Sequence, residues 1–120
     1  MRSYLIQGAS VMGHGAKDLA IRNGMFVDPS DLSTASDVRV IDATGLVALP
    51  GLVDLHTHLR QPGMEQAETI LSGSQSAALG GFTAVHAMAN TNPVADTPDI
   101  TEFVFSEGLA HGYVTVRPVG

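Results

Sequence analysis

The spacing of apolar and polar positions changes once along the chain, at Pro50-Gly51. Before that point the apolar residues fall in short runs separated by turn formers. Ser3 to Met12 is the first run, closed by Gly13-His14-Gly15. Asp18 to Arg22 alternates and ends at Asn23-Gly24, a dipeptide suited to the φ > 0 positions of a tight hairpin turn. Met25-Phe26-Val27 is the return strand, stopped by Asp28-Pro29, and the polar stretch Leu32 to Asp37 reads as a loop. Val38 to Asp42 and Leu46 to Leu49 are two further strands, the second after Thr44-Gly45. Residues 1–50 are thus predicted to form a small antiparallel β unit.

After Pro50-Gly51 the period lengthens. Leu52 to His58 shows little alternation at first, as expected for a parallel strand covered on both faces. Gln61-Pro62-Gly63 ends it. Glu68 to Leu79 places Ile70, Leu71, Ala77 and Ala78 at near-helical spacing and stops at Gly80-Gly81, a C-cap signal. Phe82 to Met88 is the next strand, and Asn90 to Pro98 a loop. Asp99 to Ala110 is a second helix with Thr101 as its N-cap and Ile100, Val104 and Leu109 on its apolar side. His111-Gly112 breaks it, and Tyr113 to Val116 begins a third strand. The order β-α-β-α-β over residues 51–120 predicts parallel strands joined by right-handed crossovers.

Composition narrows the classes. Of 120 residues, 44% are hydrophobic and 15% charged, which excludes a disordered chain. The net charge of -6 argues against a nucleic-acid-binding surface and against a polybasic membrane anchor. With no Cys, neither a disulfide framework nor a thiolate metal site is available. Trp is absent and aromatics are 5%, so the core must be aliphatic. No apolar run is long enough for a secretory h-region or approaches the ~18 residues of a membrane span, and a cytoplasmic location without membrane contact is expected. So few charges on so short a chain imply that other protein covers part of its surface.

The chemistry concentrates in Pro50-Gly51-Leu52-Val53-Asp54-Leu55-His56-Thr57-His58-Leu59-Arg60-Gln61-Pro62-Gly63. By strand alternation Asp54, His56, His58 and Arg60 share one face, and Val53, Leu55, Thr57 and Leu59 share the other, where they would pack beneath helices. A row of polar groups on an inward face is costly without a function. Imidazoles at i and i+2 lie roughly 6.5–7 Å apart along a strand and can reach one ion between them. For H-x-H alone, a hairpin edge with two solvated histidines is the other reading. Arg60 follows at the strand's C-terminal end, where parallel α/β sheets bind ligands. Asn90, in Met88-Ala89-Asn90-Thr91-Asn92-Pro93, ends the next strand and is placed beside Arg60 on the same rim; on composition alone that segment reads as a turn. Arg offers a bidentate fork to a carboxylate and Asn a further donor. His14 lies in a Gly-flanked turn and His111 at a helix C-terminus. His86 reads as a lining histidine with a hydrogen-bond partner. Asp54 either supports the floor beneath the histidines or orients one of them. Glu65, Glu68, Asp96 and Asp99 read as solvated loop or helix-start charges.

The run PGLVDLHTHLRQPG, followed by ETILSGSQSAALGGFTAVHAMANTNPVADTP, resembles the dihydroorotases, cyclic amidohydrolases of pyrimidine synthesis within the metal-dependent amidohydrolase superfamily. The likeness extends from about Tyr4 to the end of the chain. H-x-H-x-R with N-T-N-P is its specific part; the related dihydropyrimidinases and allantoinases share the histidine pair but typically not Arg60 together with Asn90. The resemblance implies an α/β TIM barrel with a small N-terminal β-sandwich. Residues 1–50 would supply part of the sandwich and residues 51–120 the first βαβαβ portion of the barrel. It implies that His56 and His58 are ligands of an active-site Zn2+ and that Arg60 and Asn90 hold the substrate's carboxylate. The implied reaction is reversible hydrolysis of L-dihydroorotate to N-carbamoyl-L-aspartate. A homodimer or a complex with aspartate transcarbamoylase are the implied assemblies. Two rival expectations are a non-catalytic dihydroorotase-like subunit scaffolding that transcarbamoylase, and another cyclic amidohydrolase of the dihydropyrimidinase or allantoinase type. Family members often have Glu at Gln61 and Pro at Ala89; neither position is a metal ligand. A complete barrel needs ~250 residues. The expectation is therefore an N-terminal portion, inactive alone, with the other ligands and the proton-shuttling acid outside it and an unpaired edge at Tyr113 to Val116.

Overall fold

The computed structural model describes residues 3–32 and 36–120, and the chain divides into two units, Met1–Pro50 and Gly51–Gly120. Among the described residues no helix is long and apolar enough to cross a membrane.

The first unit is one sheet of β1 (Ser3–Val11), β2 (Ala16–Arg22), β3 (Met25–Val27), β4 (Val38–Asp42) and β5 (Val47–Ala48). Asn23 and Gly24 take the two positive φ values, 54° and 78°, that a tight β2–β3 hairpin requires. The strand order is β3-β2-β1-β4, with β5 also on β1. The expected antiparallel unit is corrected here: β1 pairs antiparallel with β2 but parallel with both β4 and β5. The cause is the connection after β3. It begins with a 3-10 turn, Pro29–Leu32, whose Leu32 is buried, and leads to the far side of β1 in the direction of β1 itself. Leu32 is therefore a core contact, not part of a polar loop; residues 33–35 of that expected loop lie outside the described residues. β4 and β5 then run end to end along β1, joined by a turn closed by Leu46 N–H on the Ala43 carbonyl at 2.9 Å. Two exposed carboxyls stiffen the turns. The Thr44 hydroxyl and backbone N–H hold Asp42 below the usual carboxylate range, and those of Ser30 do the same for Asp28.

The second unit is a parallel sheet, β6 (Leu52–Thr57), β7 (Phe82–Ala87) and β8 (Thr115–Pro118), connected through α1 (Ile70–Leu79) and α2 (Pro98–His111). Its core is Leu59, Ile70, Val85, Ala87, Val104, Val114 and Val116. α1 starts with a capping box: the Thr69 hydroxyl accepts from Ser72 N–H and the Ser72 hydroxyl accepts from Thr69 N–H. The Gln61 amide oxygen accepts from Ile70 N–H at 3.0 Å, satisfying one more open donor of that first turn. α2 begins earlier than expected, with Thr97 and not Thr101 as N-cap, because Pro98 supplies a preset φ at the first helical position. Thr101 is instead inside the helix, its hydroxyl donating to the Thr97 carbonyl at 2.9 Å. α2 ends at Gly112, which takes the left-handed conformation. The third strand is Thr115–Pro118, two residues beyond the expected start at Tyr113. Gly73 and Gly108 let the helices close on the sheet. A Cβ at Gly73 would lie 2.5 Å from the end of the Leu59 side chain, and one at Gly108 would lie 2.5 Å from Val116 Cβ.

Candidate functional site

The site begins with an irregularity in β6. Asp54 pairs with Val85 and Thr57 with Ala87, so three steps on β6 match two on β7. One residue is bulged between them. Paired residues of parallel strands face the same side, and Val85 and Ala87 are buried under the helices. Asp54 therefore faces the helix side, as do Thr57 and the buried Leu59 beyond it. This corrects the expected alternation. Asp54 does not share a face with the histidines, and Val53 and Leu55 do not pack beneath helices: they are 52% and 70% exposed. A second irregularity, one step from Leu52 to Val53 against two from Phe82 to Ala84, lies nearer the strand's start, so simple alternation does not run the length of β6. Asp54 has a local task, since its Oδ1 accepts from the His56 backbone N–H at 2.9 Å and thereby satisfies a donor at the bulge.

His56, at the bulge, and His58, beyond it, flank Thr57 and project from the opposite, open face. Their rings stand 5.1 Å apart at 71°, both exposed. Arg60 lies just beyond the strand, half-buried, with a left-handed φ of 64°. Its guanidinium has no hydrogen-bond or ion-pair partner among the described residues.

Asn90 lies at the corresponding end of β7. It touches His58: Asn90 Oδ1 and His58 Nδ1 are 2.9 Å apart. The loops after β6 and β7 are tied together at the backbone, with Met88 N–H on the Thr57 carbonyl at 2.8 Å and Asn92 N–H on the Pro62 carbonyl at 3.0 Å. Gly63, at φ 97°, packs so closely on Asn92 that a Cβ there would lie 2.0 Å from the Asn92 carbonyl oxygen. The structure thus brings His56, His58 and Asn90 together at one end of the sheet; Asn90, expected beside Arg60, bonds to His58, and Arg60 makes no hydrogen bond to it among the described residues. His86, next to the buried Val85 and Ala87, faces the open side, and its Nδ1 lies 3.4 Å from the Asp54 carbonyl. Among the described residues no His, Asp or Glu completes a group of three suited to one ion. Three roles had no signature in the sequence: Gln61 as a helix cap, Asp54 as the partner of the bulge, and Asn90 as the partner of His58.

The described residues share their α/β fold with solved hydantoinases. The chain superposes on the L-hydantoinase (dihydropyrimidinase) from Arthrobacter aurescens with a TM-score of 0.70 and 26% identity, over 89% of this chain and 25% of that one. A D-hydantoinase gives 0.69 and 25% identity over 97% of this chain and 26% of that one. Its sequence places it more narrowly. The family model described as "Dihydro-orotase-like" matches residues 45–119, and the chain belongs to that family. It is 52% identical to the dihydroorotase of Leifsonia xyli, over 98% of this chain and 27% of that protein, and 53% identical to the dihydroorotase of Mycobacterium tuberculosis, over 98% and 28%. The chain thus spans little more than a quarter of the length of these relatives.

Proposed function

We propose that the chain works as part of a dihydroorotase: a TIM-barrel enzyme that reversibly hydrolyses L-dihydroorotate to N-carbamoyl-L-aspartate with Zn2+, in pyrimidine synthesis. The observation that carries this reading is the pair of imidazoles 5.1 Å apart, with a carboxamide hydrogen-bonded to the second of them and an arginine two residues further on, at the C-terminal end of parallel strands. The donor set fits zinc, because neutral imidazole nitrogens are among its preferred ligands. His56 and His58 would supply two positions, and a catalytic zinc ordinarily takes three protein ligands. When bound, the ion supplies a Lewis acid and an acidified water for hydrolysis. By itself the chain is expected to turn nothing over.

The remaining groups bind and orient. Arg60 is always charged and presents a rigid fork that matches a carboxylate. Its position beyond the strand, without a partner among the described residues, leaves that fork for the ring carboxylate of dihydroorotate. The Asn90 amide N–H groups are the second donor. Together they hold the ring in one register, so that a single amide bond faces the histidine pair.

The test is made in the holoenzyme. Arg60→Met is expected to lower kcat/KM for dihydroorotate by roughly 10- to 150-fold, the equivalent of ~1.5–3 kcal/mol for a charge-assisted contact. Zinc content should be unchanged. Hydrolysis of a hydantoin ring, which has no carboxylate, should be unaffected. Unchanged kinetics with dihydroorotate would overturn the carboxylate role, and an equal loss with both rings would favour the dihydropyrimidinase reading.

A further inference from the structure

We infer that Asn90 is a positioning residue for His58, fixing its imidazole in the tautomer that carries the proton on Nδ1 and turns the Nε2 lone pair outward; its consequence for metal binding rests on the zinc reading above. An amide oxygen can only accept. At 2.9 Å from Asn90 Oδ1, His58 Nδ1 must therefore donate. A neutral imidazole has one N–H, so Nε2 is left as the electron-pair donor. A free neutral histidine side chain in water prefers the opposite tautomer, with its proton on Nε2. Left alone, the exposed His58 ring would offer the wrong nitrogen, or an unfixed mixture.

The two histidines of the pair are not equivalent in this respect. Among the described residues the His56 ring has no hydrogen-bond partner, and its neighbour is the His58 ring 5.1 Å away. The fixing group comes from a different strand, 32 residues along the chain from His58. The backbone links between the two loops keep it in place: Asn92 N–H on the Pro62 carbonyl at 3.0 Å, and the Gly63 contact with Asn92. The same carboxamide can fill both roles assigned to it, because its oxygen faces the ring and its N–H groups stay available to a bound carboxylate. Hydrogen-bond partners of metal-binding histidines act in this way, and their loss typically costs 10–100-fold in metal affinity.

The experiment uses the 120-residue chain labelled with 15N-histidine, with long-range proton–nitrogen spectra recorded at a pH where the rings are neutral. The wild-type chain is expected to show His58 protonated on Nδ1. Asn90→Leu, close in size and without an acceptor, should move the proton largely to Nε2; Asn90→Asp, which keeps an acceptor, should retain it on Nδ1. Titration with zinc alone should shift the His58 Nε2 resonance in the wild type, with an apparent Kd 10–100-fold weaker in Asn90→Leu and close to wild type in Asn90→Asp. A wild-type His58 protonated on Nε2 would overturn the inference without recourse to any variant. So would an Asn90→Leu chain with native amide dispersion and an unchanged tautomer. If zinc leaves both histidines untouched while the tautomer still follows position 90, the positioning role stands, because it is read from the tautomer; the zinc reading falls if the holoenzyme with His58→Ala keeps its full zinc content.

Discussion

On the helix side of the β6–β7–β8 sheet, Val85, Ala87 and Val116 are closed off by α1 and α2; on the other side of the same strands, Val53 and Leu55 lie open beside His56 and His58. The covered face follows ordinary packing rules. Its buried core cluster is aliphatic, its helices approach through Gly73 and Gly108, and Ile70 is fully buried. The open face carries the imidazoles and leaves its aliphatics in water. Cohesion and chemistry are thus assigned to opposite faces of three strands. The bulge in β6 keeps them separate, because it puts Asp54 on the covered side and the histidines on the open one. Without that extra residue, the parity that places Asp54 on the covered side with Val85 would turn Thr57 outward and the histidines toward α1.

The comparison is most sharply tested at the centre of the covered face. Ile70→Ala removes a fully buried side chain from the core and is expected to cost ~2–5 kcal/mol of unfolding free energy. Urea denaturation of the second unit would measure it, and a loss under ~1 kcal/mol would mean that the helix face is not where its stability lies. A smaller effect is expected at Gly108. Alanine there gains up to ~1 kcal/mol of helix propensity. The new Cβ would meet the stiff, β-branched Val116 at 2.5 Å. Overpacking of that kind typically costs ~1–3 kcal/mol, so the net change should be destabilising. Gly73→Ala should cost less than Gly108→Ala, because its neighbour is the flexible end of Leu59, which can move aside. The reverse order would show that α1, not α2, is the more tightly seated helix.

The same division explains what could be read from residues alone. Turn chemistry is local, so Asn23-Gly24, Gly80-Gly81 and His111-Gly112 mark their boundaries in the sequence, and the elements fall close to where they were expected. The adjacency of His56 and His58 follows from their i, i+2 spacing across Thr57. A bulge adds one residue without changing composition, so the side taken by Asp54, Val53 and Leu55 could not be read from period-2 alternation. The direction in which β4 joins β1 depends on the path taken by the connection between β3 and β4, and both directions suit the same alternating residues. The N-cap of α2 was legible, since Pro98 marks a first helical position; Thr101 drew the assignment because hydroxyl residues also sit inside helices. That Asn90 meets His58 depends on two loops packing together, and nothing local to either loop encodes it.

The smallest effect is expected on the open face. Leu55 is 70% exposed, so replacing it with Thr removes little apolar area from contact with protein. A β-branched residue suits a strand, which offsets part of what is lost. Stability of the chain should change by no more than ~0.5 kcal/mol, the usual range for surface substitutions. Solubility should move further than stability. The exposed run of Leu52, Val53 and Leu55 on β6, an edge strand of its sheet, is an aliphatic surface on which copies of the chain can associate, and a hydroxyl at its most exposed position shortens it. Leu55→Thr should therefore raise the concentration at which the chain stays monomeric in sedimentation, while its urea midpoint stays in place. If the midpoint fell by as much as for Ile70→Ala, Leu55 would be carrying packing energy, and the two faces would not be divided as described.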